Sequence, residues 1–386
     1  MNSTVSSTNN ANRYRTIDGM RGIAALSVVL VHLYQPVNEY LAILFPALIS
    51  KIISFGFLGV PVFFVISGFV ISLSIGNSKI TPKYMGTFIL RRSIRLDITY
   101  WASIAFAILL IIIKTYILNS DDHIPSASEI LIHMFYLQEL LELDPVISVV
   151  YWTLCLEVQL YIFYILTVLF SQIINRYLSF NTYLVHVFLI LLVGVYSVLL
   201  EFHFFGISIP LKGLFVSNWH YFLLGVLVAN VVRGLPFSSR ILLLWLIFEI
   251  FIQIQVNIKW YTVAGIVSTI FIYLAWRNDK LNTFFTARVF LYLGKISYTL
   301  YLVHPDIGWK VIAFLKFLLN DYMSPMLAGV IYFIGIVASI LCAHAFHLAF
   351  EKPSLWVVKK LKTISIKDIF YDVGNKVYRL GRPFLK

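Results

Sequence analysis

Polar residues dominate the first stretch of the chain, and from about Arg21 onward hydrophobic side chains take over in long blocks separated by short polar breaks. Ten apolar segments can be placed, at about 22–38, 52–75, 96–117, 151–172, 182–201, 219–232, 238–256, 259–276, 290–310 and 325–348. A helix needs about 20 mostly apolar residues to cross a bilayer, and most of these blocks approach or exceed that length. The segment 219–232 is short for a span and is expected to be tilted or extended by its neighbours. Ile130-Leu-Ile-His-Met-Phe-Tyr-Leu137 is shorter still and suits a re-entrant or interfacial piece. The expected fold is all-α, a polytopic transmembrane helical bundle of about ten spans.

Composition agrees with that pattern. The chain of 386 residues is 60% hydrophobic and only 12% charged, with a mean hydropathy of +0.86. A soluble domain of this length has no interior large enough for so much apolar side chain. Residues 1–12 are rich in Asn, Ser and Thr without an apolar pattern and read as a disordered tail. Residues 13–353 form the membrane-embedded domain, and 354–386 form a basic cytoplasmic tail that mixes Lys with Leu, Val, Ile and Phe and is able to lie along a membrane surface. The first apolar run has no convincing small-residue cleavage site, so it is expected to remain as the first span. Two cysteines, Cys155 and Cys342, sit in apolar runs and form neither a disulfide framework nor a zinc pattern.

The net charge of +12 would suit nucleic acid in a soluble protein, but its distribution points elsewhere. About 24 of the 30 Lys and Arg fall on the N-terminal side of the expected spans, including five between Lys79 and Arg95 and nine from Lys352 to Lys386. The opposite side carries Asp121, Asp122, Glu129, Glu139, Glu142 and Asp144 in one long loop. By the positive-inside rule both termini are expected in the cytoplasm, and no nucleic-acid partner is required.

Against this apolar background the ionisable residues become candidate chemistry. Arg21 and His32 are eleven residues apart, which on a helix puts them within roughly 20° of one face and about 16 Å apart along the axis. Asp18 lies one turn before Arg21, close enough to orient it. Arg91-Arg92-Ser-Ile-Arg95 places Arg92 and Arg95 one helical turn apart, and paired guanidinium forks suit phosphate oxygens. The same cluster is also what a lipid-headgroup anchor looks like. Thr153, Glu157 and Tyr161 form an i, i+4, i+8 stripe that carries a carboxylate into the bundle. Such a group can orient an imidazole, accept a proton or bind a sugar hydroxyl, or it can serve as a structural knot between helices.

Ser297, Tyr301 and His304 form a second polar stripe, and Phe63-Phe-Val-Ile-Ser67-Gly68-Phe69 supplies a small Ser-Gly step suited to close helix packing or a ligand passage. His344, His347 and Glu351 share a helix face in a manner that evokes zinc, but no fourth ligand is evident and no metal is expected.

Taken together these residues resemble the acyltransferase 3 family of bacterial integral-membrane acyltransferases. The resemblance rests on Arg21 with ten residues before His32, Phe-Phe-Val-Ile-Ser-Gly-Phe at 63–69, Arg92-Ser-Ile-Arg95, Trp152-Thr-Leu-Cys-Leu-Glu157, Ser297-Tyr-Thr-Leu-Tyr-Leu-Val-His304 and Glu351-Lys-Pro353. It extends over about residues 13–353. The resemblance implies transfer of an acyl group, usually acetyl from cytoplasmic acetyl-CoA, to a hydroxyl of a carbohydrate such as O-antigen or another cell-surface polysaccharide or its lipid-linked precursor, in the bacterial inner membrane. It implies that Arg21, Arg92 and Arg95 serve the donor and that His32 acts as base or acyl carrier. Glu157 then orients His32 or the sugar, while Asp18, Ser67, Tyr301 and His304 contact substrate. Ile98 stands where such sequences often carry proline, which bears on the local helix entry. No extracellular esterase-like domain accompanies the spans, so transfer is expected to finish within the membrane domain.

The competing reading is a transporter or flippase for a polar or glycolipid substrate, since buried ionisable residues also mark transport pathways. No inverted repeat and no matched pair of broken helices supports it, and dependence on an acyl donor separates the two.

Overall fold

The structure is a computed structural model that describes residues 14–118, 123–143, 146–203 and 213–361. The expected tail at 1–12, residues 362–386 of the expected basic tail, and Asp121, Asp122 and Asp144 of the acidic loop lie outside the described residues. Among those described, the regular structure is helical and there is no strand. Eight stretches are long and apolar enough to cross a membrane: Arg15–Leu44, Ala47–Ile75, Pro82–Tyr116, Trp152–Leu178, Thr182–Glu201, Phe215–Val232, Ser238–Gln255 and Pro325–Lys360.

Two further helices coincide with the remaining expected segments but fall outside that set. α11 (Trp260–Arg277) is bounded by Trp, Tyr and Arg. α13 (Ser297–Leu318) carries His304, Asp306, Lys310 and Lys316 along its length. Of these, His304 enters the site described below.

Several boundaries differ from the sequence expectation. The expected segment 290–310 is divided: α12 (Arg288–Lys295) ends at Ile296, and α13 runs on to Leu318. The first span begins well before Arg21, as α1 (Arg15–Tyr34). The second is α4 (Gly59–Ile75), preceded by a separate short helix, α3 (Ala47–Ser54). The third apolar block is the latter part of α5 (Pro82–Leu118), whose first half is the basic stretch. The Arg92 and Arg95 pair is therefore helical and shares one face, as the spacing requires. Residues 130–137 fall in α6 (Ala127–Met134) and the turn after it. That helix is closed at its start by a capping box between Ser126 and Glu129.

The helices pack around one continuous core. α4 packs most extensively on α9 (Trp219–Val232), and α13 on α14 (Pro325–Phe346), while α1 contacts α12, α13 and α4. The α4–α9 crossing explains the Ser-Gly step. A Cβ added at Gly68 would sit 2.0 Å from the Phe222 carbonyl oxygen, and one at Gly225 only 1.9 Å from that of Val65. Backbone meets backbone there, and glycine at both positions allows it. α9 is buried along nearly its whole length, which is why so short a helix is stable inside the bundle.

Candidate active site

Two helices bring three cations to one cavity. Arg21 comes from α1, and Arg92 and Arg95 come from α5. Ser67 of α4, Glu157 of α7 (Trp152–Leu178) and Tyr301 of α13 complete its polar lining. The volume of the cavity is about 100 Å³.

Among the described residues no carboxylate lies within ion-pair distance of these three guanidiniums. Glu157 shares the cavity, but its Oε1 accepts hydrogen bonds from Ser67 Oγ at 2.9 Å and from the Tyr161 hydroxyl. Arg92 stacks over the Tyr161 ring, 4.9 Å from its centroid. Arg92, Tyr161, Glu157 and Ser67 thus form one connected wall. Gathering three cations in a partly buried space with one carboxylate leaves an excess of positive charge that an anionic ligand relieves.

A second cavity adjoins the first on its basic side and shares Val70, Arg92 and Arg95 with it. Lys79, Lys83 and Arg91 line this vestibule, and among the described residues no acidic one does so. Arg91 itself turns to the Leu361 carbonyl, 3.1 Å away.

His32 is the second centre of the site, and its partner is His304. His32 Nδ1 lies 2.8 Å from His304 Nε2, with the two rings nearly parallel at 9°. Proline arranges this pair. Pro305 sits inside α13 and has no N–H, so the Tyr301 carbonyl four residues earlier loses its usual helical donor. His304 Nδ1 turns back to that carbonyl at 2.9 Å, and to the Leu300 carbonyl at 3.0 Å. With only carbonyl oxygens before it, His304 Nδ1 must carry the proton, and neutral His304 then presents a lone pair at Nε2. His32 Nδ1 therefore donates, and His32 Nε2 is left as the lone pair, with no hydrogen-bond partner among the described residues. The sequence of bonds fixes the orientation of the His32 ring and leaves Nε2 able to accept a proton.

A second proline holds His32 from behind. Pro36 cannot claim the His32 carbonyl, and the Trp309 indole N–H donates to it at 2.7 Å. The histidine pair touches the arginine cavity through Tyr301, whose ring centroid is 6.0 Å from that of His304. On its other flank stands the Trp309 ring, edge-on to His32 at 6.1 Å.

Several expected positions change role. Glu157 does not orient His32; its carboxylate is engaged by Ser67 and Tyr161, and His304 does the orienting. His304 is 0% exposed, so it touches His32 and not an incoming substrate. Tyr301 lines the arginine cavity, its hydroxyl accepting from Thr153 at 2.9 Å. Asp18 lies outside that cavity, with its backbone against Gly294, where a Cβ would sit 1.9 Å from the Asp18 carbonyl oxygen. It acts on Arg21 by its charge from a turn away and closes no ion pair with it.

His347 bonds Glu351 at 2.8 Å within a π-helical turn (His347–Glu351), and His344 bonds the Tyr292 hydroxyl at 3.0 Å. Among the described residues no group of three or more His, Cys, Asp and Glu is arranged to hold a metal. Sequence reasoning missed Asp306 and Trp309. An aspartate within an otherwise apolar helix was the available signal.

The family model of an acyltransferase domain matches residues 14–345. Proteins of Staphylococcus aureus strains COL and N315, each carrying the name "Putative O-acetyltransferase", are 25% identical to the chain over 374 residues, covering 87% of this chain and 56% of theirs. The chain thus spans little more than half the length of the curated relatives it matches. No solved structure matches it. With spanning helices and a family match that includes every arginine and histidine of the site, the chain is an integral membrane protein that belongs to the acyltransferase 3 family.

Proposed function

We propose that this protein transfers an acetyl group from cytoplasmic acetyl-CoA to a hydroxyl of a cell-surface carbohydrate, working as an O-acetyltransferase in a bacterial inner membrane. The observation that carries the donor side is the set of three arginines lining one cavity with no carboxylate of the described residues in ion-pair reach. CoA is a polyanion with a thioester at the end of a long flexible arm. Its phosphates suit the vestibule of Lys79, Lys83 and Arg91 and the Arg92–Arg95 pair. Arg21 receives the arm, which extends toward His32 about 16 Å further along α1.

The transfer then follows from the tautomer. His32 Nε2 takes the proton of the acceptor hydroxyl as its oxygen attacks the thioester carbonyl carbon. The C–S bond breaks, and the departing CoA thiolate takes the proton from His32 Nε2, so the products are an ester and free CoA. His304 Nε2 accepts from His32 Nδ1–H throughout and steadies the imidazolium. A neutral His304 in the place usually held by a carboxylate suits a membrane interior, where a buried anion would be costly. The O-acetyltransferase name borne by the Staphylococcus aureus relatives supports acetyl as the group transferred.

The test is His32→Ala in the full chain, assayed for acetyl transfer from labelled acetyl-CoA to membrane and surface glycans. Loss of transfer with normal membrane insertion and normal CoA binding is expected. Unchanged transfer overturns the assignment.

A further inference from the structure

Trp309 also lines a larger cavity of about 1,060 Å³. That volume lies at the top of the roughly 300–1,000 Å³ of ordinary small-molecule sites. Most of its wall is apolar, with Leu110 and Ile113 from α5 and Val311 and Phe314 from α13. One part is polar. Asp306 lines it, is 6% exposed, and has an Oδ2 with no hydrogen-bond partner among the described residues; Ser148 lines the same space beside it. Lys310 bears on Asp306 by its charge. Trp309 spends its indole N–H on the His32 carbonyl while its ring lines the cavity.

A buried carboxylate oxygen is rarely left without a donor, because its lost hydration is then unreplaced. Sugar hydroxyls are the donors that fit: a carboxylate accepts two at once, and an indole ring packs against the C–H face of a pyranose. A sugar alone would leave most of the apolar wall uncovered. We propose that this cavity binds the acceptor, and that the acceptor is a glycolipid, a sugar held by Asp306 and Trp309 with its apolar chain along α5 and α13. This rests on the transferase reading above and adds to it a site and a substrate class. Trp309 joins the two centres, since the residue that would hold the sugar also holds the backbone of His32.

The experiment uses the full chain in lipid nanodiscs and octyl glycosides of glucose, galactose and N-acetylglucosamine, each carrying a diazirine on the chain next to the sugar. Cross-links are mapped by peptide mass spectrometry. At least one glycoside is expected to label α5 or α13 at the cavity wall, competed by the unlabelled glycoside and not by octanol or the free sugar. Asp306→Asn, nearly isosteric, is expected to cut that labelling about tenfold, the scale of a lost hydrogen bond to a charged group. Ala313→Trp, which fills the cavity from an exposed lining position, is expected to abolish it.

Labelling elsewhere, no labelling by any of the three, or labelling that octanol competes and Asp306→Asn leaves unchanged overturns the proposal. CoA binding is measured in the same samples. Its absence alongside intact cavity labelling removes the transferase reading and leaves the glycolipid site standing, whereas normal CoA binding without cavity labelling removes the site alone.

Discussion

Replacing His304 with Phe isolates the bond on which the proposed role of His32 as a base depends. Phe keeps an aromatic ring in a fully buried position and removes the Nε2 acceptor that lies 2.8 Å from His32 Nδ1. Nothing then fixes which nitrogen of His32 carries the proton, and nothing accepts from the imidazolium that forms during transfer. A hydrogen bond to a charged group contributes about 1.5–3 kcal/mol, and about 1.36 kcal/mol changes a rate tenfold. The expected loss in kcat is therefore about 10- to 150-fold. It should be smaller than the loss for His32→Ala, since general-base catalysis supplies about 10² to 10⁴. The assay is CoA release from acetyl-CoA by membrane vesicles containing the full chain and their glycans, with kcat and the donor KM determined separately. The donor KM should be unchanged, because Arg21 lies about 16 Å from His32 along α1 and the substitution leaves the arginines in place. Full activity in His304→Phe, or a defect confined to the donor KM, refutes the relay.

The other predictions address the donor cavity, the helix crossing and the outer surface. Arg92→Ala combined with Arg95→Ala should weaken CoA binding by at least tenfold, one charge-assisted bond being worth that much, and leave membrane insertion intact; calorimetric titration with CoA reads it, and unaltered affinity refutes the donor site. Gly225→Ala forces a methyl into the Val65 carbonyl and should destabilise the fold by about 1–3 kcal/mol, seen as a lower thermal midpoint and lower yield; an unchanged midpoint refutes the close crossing. Outside the membrane-spanning segments, the Ser126 backbone N–H and hydroxyl and the His123 ring hold Glu129 well below its usual range, at about 2. Because the folded pKa is depressed, the capping box should be fully stabilising above the ordinary value of 4.5 and be lost as pH falls from there toward 2. Amide exchange in α6 should therefore accelerate in that window for the natural chain, and Glu129→Gln should remove the pH dependence.

Much of the bundle was legible from local pattern. The eleven-residue step from Arg21 to His32 and the Arg92–Arg95 turn are properties of one helix each, so spacing alone put them on shared faces. The pairing of His32 with His304 joins residues 272 positions apart, and no local rule predicts it. The stripe of Ser297, Tyr301 and His304 was visible, but the role of His304 depends on Pro305, whose missing N–H frees the Tyr301 carbonyl. Read as a helix breaker, that proline points to a boundary; in the fold it lies within α13 and sets a tautomer. Likewise the break at Ile296 was hidden because apolar residues continue across it, and hydropathy does not register a change of helix direction. Asp306 was passed over beside stronger motifs, and only its place in a cavity wall gives it meaning.

The measurement that tests the central claim most directly is mass spectrometry of surface and membrane glycans from cells fed isotopically labelled acetate, comparing the natural chain, His32→Ala and cells without the chain. A labelled acetyl ester on a carbohydrate that appears only with the natural chain is the predicted result. A gain that persists in His32→Ala, or no acetyl gain on any glycan while the protein is present in the membrane, contradicts it.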